Sequence, residues 1–367
     1  MSCVADRVIL HVDFDYFFAQ CEEIRDPQLR VKPVCVCVYS GRDQNSGAVA
    51  TANYLARRYG ARSGVSIRTA MAQLKERDDA VFLPTDFGYY ADISENAMGI
   101  LQGYADIFEY VGKDEAYLDV TAKTGGSYDA GSHLAQRIKN DIKRKIKLTC
   151  SVGVSPNRLI SKIASDFNKP DGLTVVTPEK VKEFLQPLKV RDIPGIGKKT
   201  EQALAKMGVS TVEQLRSMSI FDLNSSFGRR TGAYLHNAAV GEDHEPVAQR
   251  EPQVQFSRIS TLSKDSTDPD FLRQNLLRMC EELHKTVQEN KMLFRSVGIQ
   301  FIQSDLSNRT KSRMLRNSTA SRIELEKAAT ELLKEALESQ KRQIRRLGVK
   351  VSDLSEARGQ FSMDNYF

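Results

Sequence analysis

At 367 residues the chain is too long for one ordinary core, and two to four domains are expected. Its 41% hydrophobic and 27% charged content is that of a water-soluble globular protein, and no run approaches the roughly 20 apolar residues that span a bilayer. The opening MSCVADRVILHVD is no signal peptide, and six cysteines without CxxC spacing exclude a disulfide scaffold or zinc module, so a cytoplasmic, reducing setting is expected. A net charge of +6 only hints at an acidic partner.

In chain order, Arg7–Asp13 (RVILHVD) is a short apolar run rich in β-branched residues and reads as a buried strand. A helix from Asp15 to about Ile24 follows almost at once. Pro33–Tyr39 and Ala48–Thr51 alternate as strands, and helical periodicity marks Ala52–Tyr59 and Thr69–Lys75. A strand at Ala80–Leu83 and a helix over Phe87–Gly103 come next. Strands at Ile107–Val111 and Ala116–Val120 flank Gly112-Lys113-Asp114-Glu115. A helix over Asp129–Lys147, with Leu134, Ile138 and Ile142 on one face, leads to a strand at Thr149–Val154 and a helix from Asn157 to Phe167. This is β-α-β-β-α-β with an insertion after the first helix, the pattern of a ferredoxin-like sheet within a multidomain α/β (α+β) protein. Such a sheet hosts many functions, so the site must decide.

The site is written in carboxylates. Asp13 ends the first strand, and Asp114 and Glu115 lie where two central strands of the same sheet would approach it. Paired divalent cations need several hard anionic oxygens at one spot, and acidic residues at adjacent strand ends supply them. Any one of these would be an ordinary polar strand end; the two segments together, at matching places, are harder to dismiss.

VDFDYFFAQCEE (Val12–Glu23), SGAVATANYLARRYG (Ser46–Gly60), DEAYLDV (Asp114–Val120) and SVGVSPNRLISKIASDFNKPDGL (Ser151–Leu173) resemble, in that order, the Y-family DNA polymerases, most closely the DinB branch. The resemblance runs over about the first 240 residues and more loosely to about residue 350. It implies a palm (1–19 and 80–172), a fingers insert (20–79), a helical thumb (173–241), a linker (242–253), a little finger (254–351) and a tail (352–367). It implies a low-fidelity, template-dependent, lesion-bypassing polymerase with two Mg²⁺ ions, or Mn²⁺, held by Asp13, the Phe14 carbonyl, Asp114 and Glu115. Phe17, Thr51, Tyr54, Arg57 and Lys162 would contact the incoming deoxynucleoside triphosphate, where Arg offers a fork and Lys a point charge. Phe18 would be the ring that excludes a ribose 2′-hydroxyl. One departure stands out: the family usually has Ser and an apolar residue before the acidic pair, and here they are Gly112 and Lys113.

Independently, Val190–Leu204 (VRDIPGIGKKTEQAL) reads as a helix-hairpin-helix. Gly195 and Gly197 make a tight turn, the next helix points its amides outward, and Lys198 and Lys199 add charge, an arrangement that grips a phosphate without reading bases. Glu242–Gln253 is polar and reads as a linker. Beyond it a strand (Gln255–Leu262), a helix (Phe271–Val287), a strand (Phe294–Gln303), a basic segment (Arg309–Asn317), a helix (Ala320–Leu337) and a strand (Arg345–Val351) suggest a small α/β domain with a four-stranded sheet. Leu306–Lys350 holds 12 Lys/Arg against 5 Asp/Glu, and Arg309, Lys311, Arg313, Arg316, Arg342 and Arg345 are the expected DNA-backbone contacts. Ser352–Gly359 is polar and expected to be disordered. In the closing QFSMDNYF, Gln360, Met363, Tyr366 and Phe367 match the pattern of peptides that bind the PCNA sliding clamp, which points to an archaeal source. The expected partners are therefore primer-template DNA, deoxynucleoside triphosphates and a PCNA-type clamp, around a monomer without membrane attachment. Two other functions fit parts of this pattern: a nucleotide cyclase on the same sheet, which has no use for the hairpin or tail, and a catalytically weakened scaffold that only binds DNA.

Overall fold

A computed structural model describes residues 7–249, 254–338 and 342–357. The chain divides into two compact units, one of Met1–Val36, Ala50–Ser63 and Gln73–Arg250, the other of Cys37–Val49, Gly64–Ala72 and Glu251–Phe367. In the first half, β1 (Ile9–Phe14), α1 (Phe17–Arg25), β2 (Val34–Tyr39), β3 (Gly47–Ala52), α2 (Tyr54–Arg57), α3 (Ile67–Gln73) and β4 (Val81–Pro84) precede α4 (Phe87–Tyr104), β5 (Ile107–Tyr110), β6 (Glu115–Asp119), α5 (Thr121–Thr124), α6 (Tyr128–Lys145), β7 (Cys150–Ser155), α7 (Arg158–Phe167) and β8 (Leu173–Val175). The main sheet has the order β5-β6-β1-β7-β8 and a smaller one the order β3-β2-β4. With β1 antiparallel to both β6 and β7, this is the ferredoxin-like arrangement, extended by β8 running parallel to β7.

The sequence explains the layering. Val8, Leu10, Val12 and Phe14 enter the core with Leu101, Ile138 and Ile142 of α4 and α6. The alternate positions Ile9, His11 and Asp13 therefore share the opposite face. Helix α6 starts on Ser127, whose side chain accepts from Ala130 N–H, carries Asp129 in its first turn and ends on Lys143, Arg144 and Lys145, matching the helix dipole at both ends. Helix α7 can lie on β7 because Gly153 has no side chain: a Cβ there would sit 2.0 Å from the Ser161 carbonyl oxygen.

Short helices follow: α8 (Val181–Leu185), α9 (Lys198–Lys206), α10 (Val212–Arg216), α11 (Ile220–Phe227) and α12 (Arg229–Val240). Leu185, Ile196, Leu204, Leu215 and Leu235 form a core of their own, which also takes in Leu159, Ile160 and Ile163 of α7. The segment expected as a linker is laid down on the sheet through residue 249. Asp243 accepts from Leu159 N–H at 2.9 Å, Ala248 N–H donates to Glu109 at 3.3 Å, and Val247 is buried against Ile9 and Tyr117.

In the other unit, β9 (Gln255–Ser266), α13 (Pro269–Glu289), β10 (Met292–Gln303), β11 (Asn308–Thr319), α14 (Arg322–Glu338) and β12 (Ile344–Glu356) form an antiparallel sheet of order β11-β10-β12-β9 with both helices on one face. Two expectations are corrected. The basic segment is the missing fourth strand, β11. Residues 352–356 continue β12, because Ser352 and Leu354 pair with Ser296 and Phe294 and Leu354 packs against the core. Arg42 belongs to this unit: its Nε donates to the Leu262 carbonyl at 2.7 Å and its guanidinium pairs with Asp265.

Candidate active site and nucleic-acid interface

Asp13 and Glu115 stand directly opposite each other on β1 and β6, and Phe14 N–H donates to the Asp114 carbonyl at 2.8 Å, locking the two acidic segments together. The sheet thus brings Asp13, Asp114, Glu115 and the Phe14 backbone to one strand end. The approach to Asp114 is held by Ser94, whose hydroxyl donates to the Lys113 carbonyl at 2.6 Å.

Two ammonium groups lie on these carboxylates. Lys169 Nζ is 2.7 Å from Asp13 Oδ1 and 2.7 Å from Asp166, and Lys162 pairs with Glu115. Burial raises the Asp13 carboxyl to about 7 against the pull of Lys169. Glu115, beside His11 and Lys162, is held down to about 2. A poorly hydrated carboxylate cluster that already attracts two cations, its donors mostly hard carboxylate oxygens with one histidine nitrogen beside them, fits Mg²⁺ or Mn²⁺.

His11 and Lys169 are the residues that sequence reasoning missed. His11 is fully buried, its Nδ1 2.7 Å from Ser165 Oγ and its Nε2 3.3 Å from Glu115 Oε2 without hydrogen-bond alignment. Its ligand atom, one from Asp13 and one from Glu115 lie within 4.8 Å of one another. Burial lowers its pKa to about 4, so the ring is neutral. Its position two residues before Asp13, on the same face of β1, is the only sequence signal it gives.

The expected nucleotide contacts gather nearby. Asn53 caps α2, so Tyr54 and Arg57 project from a fixed turn; Arg57 Nε donates to the Ala52 carbonyl at 2.8 Å and its guanidinium lies 4.9 Å from the Tyr54 ring centre. Tyr54 meets Tyr16 edge-on at 5.2 Å. Thr51 is half-buried at the end of β3. The Phe17 ring is buried in the core, so any contact it makes comes from its backbone. Helix α1 begins without a side-chain cap, on Tyr16 at φ 36, which leaves first-turn amides of the Phe17–Phe18 segment for an anion. The Phe18 ring stacks on Tyr90 at 4.6 Å and 17°.

The hairpin at Pro194–Gly197 is formed: Gly195 has φ +82, and α9 starts at Gly197 with no side-chain cap, Lys198 and Lys199 exposed in its first turn. On β11 the expected DNA contacts divide. Lys311 and Arg313 turn toward α14, Lys311 Nζ donating to the Glu335 carbonyl at 3.1 Å and Arg313 pairing with Glu331 and Glu335. Arg309 and Arg316 are exposed. Arg342 pairs with Asp305, and Arg345 lies 3.9 Å from Asp265. Across the helix-free face, Gly298 adjoins the Lys350 side chain. Gln360, Met363, Tyr366 and Phe367 lie outside the described residues. Among those described, no helix is long and apolar enough to cross a membrane.

Comparison with known proteins agrees with this geometry. Residues 12–166 match the impB/mucB/samB family, residues 253–364 its C-terminal domain, and residues 191–243 the thumb domain of DNA polymerase-iota. The chain is 59% identical over 361 residues to DNA polymerase IV of Nitrosopumilus maritimus, covering 98% of this chain and 99% of that one. It is 41% identical over 366 residues to DNA polymerase IV of Methanosarcina acetivorans, covering 98% and 99%. Among solved structures, a Y-family DNA polymerase chimera superposes with a TM-score of 0.89 at 36% identity, covering 95% of this chain and 99% of that one. An insertion ternary complex of Dbh DNA polymerase superposes with a TM-score of 0.68, also at 36% identity and the same coverage. Carboxylates at adjacent strand ends, a helix-hairpin-helix and full-length kinship converge: the chain belongs to the Y-family DNA polymerases, in the DNA polymerase IV (DinB) branch, and is a DNA-directed DNA polymerase.

Proposed function

We propose that the enzyme copies past damaged template bases by two-metal nucleotidyl transfer and is recruited by a PCNA-type sliding clamp. The observation that carries the chemistry is the register that sets Asp13 against Glu115, with Asp114 tied to Phe14 beside them. Asp13, Asp114, Glu115 and the Phe14 carbonyl would hold the two divalent ions. When bound, such ions lower the pKa of the primer 3′-hydroxyl and offset the charge that builds on the triphosphate.

The chain's own groups do the rest. Tyr54, Arg57 and the uncapped start of α1 would bind the phosphates, with Thr51 contributing from the adjoining end of β3. Lys169 and Lys162, which pair with Asp13 and Glu115, would turn to the β- and γ-phosphates of the incoming nucleotide and supply positive charge as pyrophosphate departs. Phe18 lies under the sugar. Gly195, Gly197, Lys198 and Lys199 hold one duplex backbone, and Arg309, Arg316 and the helix-free sheet face with Lys350 hold another stretch, without base readout. The protein acts as a monomer in the cytoplasm.

Primer extension with Mg²⁺ on undamaged and abasic templates tests this reading. Extension on both is expected, and Asp114→Ala should abolish it while primer-template binding persists. An Asp114→Ala protein that still turns over would remove that carboxylate from the chemistry. Synthesis that always stops at the abasic site would remove the bypass role.

A further inference from the structure

Lys139 stands on α6, outside everything assigned above, with its side chain only 8% exposed. An ammonium so buried needs a partner for every proton. It has them: Nζ donates to the Cys150 carbonyl at 2.7 Å, to Asp171 Oδ1 at 2.6 Å and to the Gly172 carbonyl at 3.1 Å. Two of the three belong to the turn between α7 and β8.

The same turn is tied from the other side. Asp15, fully buried, accepts from Ser151 Oγ at 2.7 Å, from Thr149 Oγ1 at 2.8 Å and from Asp171 N–H at 2.9 Å. Gly172 N–H donates to Ser151 Oγ at 3.2 Å. Asp171 is held at φ 53, a conformation an aspartate adopts at some cost and keeps here because its partners over-determine it. This turn is the root of Lys169.

We propose that Lys139 is a positioning residue for nucleotide binding: by clamping Asp171 and Gly172 it fixes the turn that carries Lys169 to the Asp13 carboxylate and to the incoming triphosphate. The inference rests on the assignment of Lys169 to the phosphates. Its physical basis is the lysine side chain itself, a point charge on a four-carbon stem. Such a charge is useful only where its base is immobile, and an ångström of drift at the root is enough to lose the contact.

The test is single-turnover primer extension by the full chain at graded deoxynucleotide concentrations, with primer-template binding by anisotropy and thermal melting alongside. Lys139→Met should weaken apparent nucleotide affinity on the order of tenfold, leave primer-template affinity unchanged, and be restored by Lys139→Arg. Lys139→Met combined with Lys169→Ala should be no weaker than Lys169→Ala alone, because both remove the same contact. If Lys139→Met folds and binds nucleotide normally, or if the two losses multiply, the proposal is overturned. Should Lys139→Met not fold, Asp171→Asn, at a side chain 41% exposed, carries the same comparison. Lys169→Ala with unchanged nucleotide affinity would bring down the phosphate assignment itself; a loss with Lys169→Ala but none with the Lys139 and Asp171 variants would bring down only the positioning role.

Discussion

The ring of Phe18 is held from behind, stacked on Tyr90 and edge-on to Phe87 at 6.0 Å and 83°. Each such aromatic pair contributes about 0.5–1.5 kcal/mol beyond area burial, so the ring is a wall and not a hinge. Phe18→Ala should raise ribonucleotide use relative to deoxynucleotide use, on the order of a hundredfold, read as the ratio of single-nucleotide incorporation efficiencies. An unchanged ratio would detach this ring from sugar selection. Much at this scale was legible beforehand. Asp13, Asp114 and Glu115 could be named because two short segments had to meet on one sheet. His11 could not, since a lone histidine in a buried strand looks like filler until Ser165, far along the chain, is seen against it. Lys169 lay inside a segment already singled out, and only the turn at Asp171 brings its ammonium onto Asp13.

Among the elements, strands with apolar alternation were readable and β11 was not. It is the edge of its sheet, and its residues on both faces are largely polar: Lys311 and Arg313 reach α14 while Ser312 and Met314 are exposed on the other side. The period-2 signal is therefore missing. A row of cations along an edge also discourages pairing with other chains. The Ala52–Tyr59 helix shrank to Tyr54–Arg57, since Asn53 caps a single turn. Helix α13 carries a titratable core group: burial pushes the Cys280 thiol up from 9 to about 12. In the unfolded chain that thiol ionises near 9 while the folded form stays protonated, so its stabilising share is whole below pH 9 and is lost as pH rises toward 12. The stability advantage of the protein over Cys280→Ala in urea titrations should shrink by about 1.4 kcal/mol from pH 8 to pH 10. A constant advantage would mean that the thiol is hydrated in the fold.

For the whole molecule, the sequence divided the chain by composition, whereas the fold divides it by contact. Residues 37–49 and 64–72 join the C-terminal unit, anchored by Arg42 on Leu262 and Asp265, a link no local pattern foretells. The polar stretch after Gly241 looked like free linker because a single apolar side chain, Val247, does the docking. The proposed recruitment by a sliding clamp is also tested on the whole chain. Deleting Gln360–Phe367 should leave distributive synthesis intact and remove stimulation by a PCNA-type clamp, read as product length with and without clamp; stimulation that survives would locate docking elsewhere. The lysines on Asp13 and Glu115 carry one last implication. A site that provides its own counter-ions owes no part of its architecture to inorganic ones. Chelation should therefore silence the enzyme without unfolding it, unlike domains whose folding free energy is metal-binding free energy.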